Sequence, residues 1–210
     1  MELSNYLQIK EKLPTRVQLL AVSKGFDSTL VEEIYNLGQN HFGESKFQEA
    51  YEKQRILKNL IKIKWHFIGK IQSNKIRKIV KYFDYIHSVD SIKHLLKISN
   101  AAVDINKTQK LMIQIKLAND PSKGGIDYNY LISEWNEIKK IKNIEIIGLM
   151  TINPKGLTQK ENFKLFSKCR EIADILKLPD CSMGMSNDWH EAVQAGSTWI
   201  RLGSVIFGER

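Results

Sequence analysis

Val17-Gln18-Leu19-Leu20-Ala21-Val22-Ser23-Lys24-Gly25 is an apolar run that stops at a lysine and a glycine. It is closer to a continuous apolar segment than to a clean alternation of apolar and polar residues. That is the pattern of a parallel strand buried on both faces and covered outside by helices. The pattern recurs along the chain. Strands are expected over about 17–23, 41–44, 65–69, 85–89, 110–117, 144–149, 180–182 and 199–202. Helices are expected over about 28–37, 46–60, 73–83, 91–104, 128–140, 159–177 and 187–195. Eight strands with a helix in each of the seven intervals predict an α/β fold, a single (β/α)8 TIM barrel spanning residues 1–210. An open doubly wound sheet satisfies the same alternation. No Pro- or Ser-rich linker divides the chain, and neither a Rossmann glycine motif nor a Walker A motif occurs.

Local chemistry marks several boundaries. Ser45 with Gln48, and Thr158 with Glu161, have the spacing of capping boxes. Gly38 and Gly196 sit where helices should stop. Ile76, Ile79, Val80 and Phe83 make one apolar helix stripe; Phe163, Phe166, Cys169, Ile172, Ala173 and Leu176 make another. The helix before the first strand reads as short.

Apolar residues make up 42% of the chain, enough for a packed core, and 12 glycines with 4 prolines argue against disorder. No apolar run approaches a membrane span. Met1 to Pro14 lacks an apolar signal core, so a cytoplasmic protein is expected. Cys169 and Cys181 have neither CxxC spacing nor a nearby histidine cluster, so no metal site or structural disulfide is implied. The formal charge of +9 favours anionic partners, either nucleic acid or phosphorylated small molecules. The densest basic cluster, Lys70, Lys75, Arg77, Lys78 and Lys81, has no accompanying nucleic-acid motif and reads as a solvated helix face.

In a barrel the chemistry lies beyond the C-terminal ends of the strands. The first strand ends at Lys24, whose amine can form a Schiff base with an aldehyde cofactor. A lysine that merely ends a strand and reaches into water has the same local sequence. The sixth strand ends at Met150, the seventh in Ser182-Met183-Gly184-Met185-Ser186, the eighth in Arg201-Leu202-Gly203-Ser204. The last two segments are small-residue turns with hydroxyl and backbone donors, suited to an anion such as a phosphate. Arg201 is placed either to face a cofactor ring nitrogen or to pair on the surface with Glu209 or Asp188. His66, between Trp65 and Phe67, is the histidine best placed to matter, although a packed core histidine reads the same way. His41, His87, His94 and His190 are scattered in sequence.

Taken in order, Leu20-Ala21-Val22-Ser23-Lys24, His41-Phe42-Gly43-Glu44, Trp65-His66-Phe67-Ile68-Gly69, Gln72-Ser73-Asn74-Lys75, Gly148-Leu149-Met150, Gly184-Met185-Ser186 with Asp188, and Arg201-Leu202-Gly203-Ser204 with Ile206-Phe207-Gly208 resemble one family. It is that of the pyridoxal-phosphate homeostasis proteins, the YggS/PROSC or alanine-racemase N-terminal-domain-like family. The resemblance implies a barrel of the alanine-racemase type without that enzyme's second domain. It implies pyridoxal 5'-phosphate as cofactor, carried on Lys24 as a Schiff base. Ser182, Met185, Ser186, Gly203 and Ser204 would belong to the phosphate loops, and Arg201 would face the pyridine nitrogen. Asn74 and Met150 would lie at the pocket rim. The implied role is intracellular cofactor homeostasis without robust catalysis, with apo-enzymes as possible recipients. An amino-acid racemase is the alternative, and nucleic-acid binding rests on charge alone. Two departures from the family pattern touch the pocket: Ser45 stands where asparagine is commoner, and Ser122-Lys123-Gly124-Gly125 stands where Ser-Lys-Ser-Gly is.

Overall fold

The computed structural model describes residues 2–118, 120 and 124–209. Ser122 and Lys123 therefore lie outside the described residues, but the departure itself, Gly124, is described: its carbonyl accepts from Gln114 Nε2 at 2.7 Å, and a Cβ there would stand 3.3 Å from Asp90 Oδ2. Among the described residues nine strands are formed: β1 Gln18–Val22, β2 His41–Glu44, β3 Lys64–Phe67, β4 Tyr85–Val89, β5 Gln109–Lys116, β6 Ile126–Asp127, β7 Ile144–Met150, β8 Asp180–Ser182 and β9 Trp199–Leu202. All pairings are parallel. The decisive pairing is β4 with β5, which joins the two ends of the β4-β3-β2-β1-β9-β8-β7-β5 ribbon. Eight strands therefore close on themselves, and the open doubly wound alternative is excluded. β6, unforeseen in the sequence, is a two-residue addition on β5 outside the ring.

Closure explains the continuous apolar runs. Outward side chains pack under the helices in one large core that includes Leu19, Ala21, Phe42, Trp65, Phe67, Ile86 and Leu111. Inward side chains fill the barrel, where Leu20, Met112, Met150 and Trp199 form a second, smaller cluster. A strand wetted on neither face needs no polar alternation.

The helices are α1 Glu2–Lys12, α2 Ser28–Asn36, α3 Phe47–Ile56, α4 Ile76–Tyr82, α5 Ile92–Val103, α6 Tyr128–Ile138, α7 Gln159–Ile175, α8 Trp189–Gln194 and α9 Ser204–Phe207. The expected capping box forms at Thr158 and Glu161. The one at Ser45 and Gln48 does not: α3 starts one turn position later, with Lys46 as N-cap and no side-chain cap. Ser45 is instead packed in the β2–α3 loop against Gly69, where a Cβ would stand 2.0 Å from the Ser45 carbonyl oxygen. The first helix is also longer than expected, at 11 residues. In α7 the stripe Phe166, Cys169, Ile172 and Ala173 is buried, but Phe163 is exposed. The α4 stripe is buried as expected, through Phe83. Both cysteines are free and buried. No helix among the described residues is long and apolar enough to cross a membrane.

Candidate functional site

Ser23-Lys24-Gly25-Phe26 is a tight turn, closed by the Phe26 N–H donating to the Ser23 carbonyl at 3.1 Å. Gly25 has φ +79°, which a side chain would disfavour. The turn projects Lys24 beyond the C-terminal end of β1. It is braced from below by a buried charge cluster. Lys53 Nζ donates to the Ser23 carbonyl at 2.7 Å, to Glu44 Oε1 at 2.7 Å and to Glu49 Oε1 at 2.8 Å. The Ser23 hydroxyl donates to Glu44 Oε1 at 2.7 Å, and the Gly25 N–H to Glu49 Oε1. Burial pushes the Glu44 carboxyl above its ordinary range, against the opposing pull of Lys53 and Ser23. Burial also pushes Glu49 up, but the hydrogen bonds from Lys53 and the Gly25 amide outweigh it, and Glu49 titrates low. Both residues flanking Lys24 are thus held by ionic partners on β2 and α3. Glu49 and Lys53 are spaced i,i+4 with the acid first, which is the one local signal of this cluster in the sequence.

Lys24 shares a cavity of about 540 Å³ with Val22, Ile68, Met185, Ser186, Arg201, Gly203, Ser204 and Glu209. Six of the nine residues singled out in the sequence therefore meet on one wall: Lys24, Met185, Ser186, Arg201, Gly203 and Ser204. The hydroxyls of Ser186 and Ser204 are 3.5 Å apart, although they are 18 residues apart in sequence. Glu209 joins the lining and was not foreseen.

The other three sit elsewhere. Ser182 is fully buried beneath the cavity, where its hydroxyl accepts from Arg201 Nη1 at 2.8 Å. Met150 is buried in the barrel interior with Leu20, Met112 and Trp199. Asn74 is on the 3-10 turn Ser73–Lys75 and faces a separate surface cavity shared with Arg77, Asn100 and Asp104.

The loop after β8 differs in detail from the sequence reading. Its helix starts at Trp189, and the Met185 N–H donates to Asp188 Oδ1 at 2.6 Å. That amide is already satisfied by a carboxylate. Gly184 takes φ +93° and lies so close to α8 that a Cβ would stand 2.6 Å from the Ala192 methyl.

Arg201 is 4% exposed, so it is not a surface ion pair. Its guanidinium donates to Ser182 Oγ and, through Nη2, to the Thr151 carbonyl at 2.9 Å. Both partners are neutral. Burial lowers its pKa to about 10, with Asp188 pulling the other way, so it remains cationic at neutral pH. An amine on a braced turn, a buried cation with neutral partners and two adjacent hydroxyls form a site for an anionic carbonyl compound.

The histidines are the larger surprise. His41, His66 and His87 start or lie within β2, β3 and β4, point inward, and form a hydrogen-bonded row inside the barrel. Only His66 stood out in the sequence. The basic cluster is a solvated face as expected: Arg77 pairs with Asp104 at 3.2 Å, and Lys78 and Lys81 lie over the rings of Phe47 and Tyr82.

The family profile of the alanine racemase N-terminal domain matches residues 3–210. A protein from Synechocystis named pyridoxal phosphate homeostasis protein is 41% identical over 99% of this chain and 98% of its own length. The chain belongs to this family. Another member, named likewise, from Mus musculus, is 37% identical over 92% of this chain and 77% of its own length. Among solved structures, family member PipY of Synechococcus elongatus, with pyridoxal phosphate bound, superposes with a TM-score of 0.95 at 40% identity, covering 99% of this chain and 100% of its own. The alanine racemase of Clostridium difficile superposes at 0.82 with 15% identity, covering 60% of that enzyme, which supports the barrel fold and nothing further.

Proposed function

We propose that this protein binds pyridoxal 5'-phosphate at the C-terminal mouth of the barrel and carries it in cytoplasmic cofactor homeostasis, with residues 1–210 acting as one cofactor-binding domain. The observation that carries this reading is the convergence of Lys24, Arg201, Ser186 and Ser204 on one cavity. The cofactor-bound relative named above supports it. The cofactor supplies an aldehyde; condensation with the Lys24 amine forms a C=N bond and releases water. Lys24 is the attachment point, presented by its braced turn. Ser186, Ser204 and the backbone at Gly203 hold the phosphate. Arg201 faces the pyridine nitrogen and, being a permanent donor, leaves that nitrogen without a proton. Met185 closes one side. Ser182 acts through Arg201, while Asn74 and Met150 have no place on this wall. Apo-enzymes that lack the cofactor are the recipients this role implies.

Purified protein loaded with pyridoxal phosphate should absorb in the visible, and borohydride should fix one pyridoxyl group on Lys24. Lys24→Ala should abolish the covalent link. Attachment at another lysine would overturn the assignment. Ser204→Ala should weaken binding by about 10–150-fold, since a hydrogen bond to a charged group contributes roughly 1.5–3 kcal/mol. Equal titration curves would show that backbone groups hold the phosphate without the hydroxyl.

A carrier rather than a racemase fits the cavity wall. Among the described residues its titratable side chains are Lys24, Arg201 and Glu209. No tyrosine of the described lining opposes Lys24 as a second acid–base group, which two-base racemization needs. Holoprotein incubated with L-alanine should therefore leave the L enantiomer intact when the enantiomers are resolved. Turnover of about 1 s⁻¹ or more, lost in Lys24→Ala, would assign an enzyme instead.

A further inference from the structure

Arg201 is the upper end of a continuous hydrogen-bonded row that crosses the barrel interior. Arg201 Nη1 lies 2.8 Å from Ser182 Oγ, and Ser182 Oγ 2.9 Å from His87 Nδ1. His87 Nε2 is 2.8 Å from His66 Nδ1, and His66 Nε2 is 2.9 Å from His41 Nδ1. Ser182, His66 and His87 are fully buried, whereas His41, at the start of β2, is half-buried. Tyr85 stacks on His66 with ring centroids 4.3 Å apart, and Trp199 borders all three imidazoles.

The direction of this row follows from donor counting. A guanidinium has only donors, so Ser182 Oγ must accept from Arg201. The serine hydroxyl has one proton to place. Among the described residues its remaining partner is His87 Nδ1, which must therefore be the acceptor. The opposite arrangement would put a His87 N–H against a serine whose own proton is buried without an acceptor, which is costly. A neutral His87 that accepts at Nδ1 carries its proton on Nε2 and donates to His66 Nδ1. His66 then donates from Nε2 to His41 Nδ1, and His41 is left with its proton on Nε2. One donor-only group at the cavity thus dictates three tautomers up to 160 residues away in sequence.

We propose that His87, backed by His66 and His41, is a positioning residue for Arg201: the histidine row, locked with every proton on Nε2, holds the Ser182 lone pair on the guanidinium and so fixes its plane at the cavity floor. Neutral imidazoles suit the place. Burial and then the charge of Arg201 hold His87 down to about 3, and burial followed by the neighbouring histidines holds His66 well below its ordinary value. The sequence separations along the row, 25, 21 and 95 residues, explain why no local motif announces it. The tautomer assignment does not depend on what the cavity binds; its relevance to the pyridine ring rests on the function proposed above.

Nitrogen NMR of the ligand-free protein, labelled in histidine and arginine, tests the proposal. Of the five histidines, three should show a protonated Nε2 and an unprotonated Nδ1, unchanged between neutral and mildly acidic pH. The Nη protons of Arg201 should be resolved, because rotation about the guanidinium is hindered. His87→Leu should lose these resolved signals, and His87→Gln, which keeps an acceptor for Ser182, should restore them. A proton on Nδ1 of His87 in the wild type, or Arg201 signals that survive His87→Leu, would overturn the proposal. Should His87→Leu fail to fold, the wild-type tautomers decide alone. Pyridoxal phosphate takes part in none of these measurements, so failure here and failure of the borohydride test on Lys24 are separate results.

Discussion

Lys53→Met should lower the folding stability by about 3–5 kcal/mol, the usual cost of removing one partner from a buried ion pair. Lys53 is 5% exposed and Glu44 is fully buried, so neither can recover solvation without local opening. Glu44 Oε1 is held by Lys53 and Ser23, and Oε2 has no hydrogen-bond partner among the described residues. Removing the ammonium leaves a carboxylate whose burial already pushes its pKa up, so the variant must bury a charge or take up a proton. The loss should be largest at neutral pH, where the unfolded chain keeps Glu44 ionised. Urea unfolding of the wild type and of Lys53→Met checks the magnitude, and adding Glu44→Gln should recover part of the loss because the uncompensated charge disappears. A variant within about 1 kcal/mol of wild type would mean that the pair stabilises no more than a surface contact. Both Glu44 and Lys53 touch Ser23, so the same variant should loosen the turn that presents Lys24 and slow its reaction with an aldehyde.

Acid should destabilise the protein before most of its carboxylates protonate. His66 and His87 have folded values pushed below the ordinary 6.5 by burial, His87 to about 3. His41 is lowered too, less deeply buried and opposed by Asp84. In the unfolded chain these groups titrate near 6.5. The unfolded state therefore binds more protons between that value and the folded ones, and stability falls as pH falls through this window. Each fully buried neutral histidine contributes about 1.4 kcal/mol per pH unit. His87 by itself removes on the order of 2–3 kcal/mol between pH 6.5 and 4.5, a sizeable share of a typical domain's stability, and His66 adds to the loss in the same direction. Urea midpoints measured from pH 7.5 downward should fall steadily below about 6.5. A flat profile to pH 4.5 would mean that the histidines are solvated or charged in the native state, contrary to the packing found here.

The local features of the chain were legible because they have local causes. Periodicity and continuous apolar runs mark strands and helices wherever both faces of a strand are covered. The turn at Ser23 to Phe26 is written in one glycine, and the start of α7 in the Thr158–Glu161 spacing. The spacing of Ser45 and Gln48 is equally good, yet no box forms, because the close approach of Gly69 to Ser45 fixes the loop first. A propensity of about 1 kcal/mol does not outweigh a backbone packed against the loop that follows β3.

What the sequence determined by itself was the succession of strands and helices, the lysine at the exit of the first strand and the small-residue turns after the last two. Each depends on neighbours within a turn or two of chain. Only the tertiary structure decided that β4 pairs with β5 and closes the ring. Only closure brings Ser186 to Ser204, sets Lys53 under Lys24 and lines up His41, His66 and His87 beneath Arg201. The reason is the geometry of a parallel barrel. Each inward side chain meets partners from other strands, separated by whole βα units, and no period in the sequence records which partner that will be.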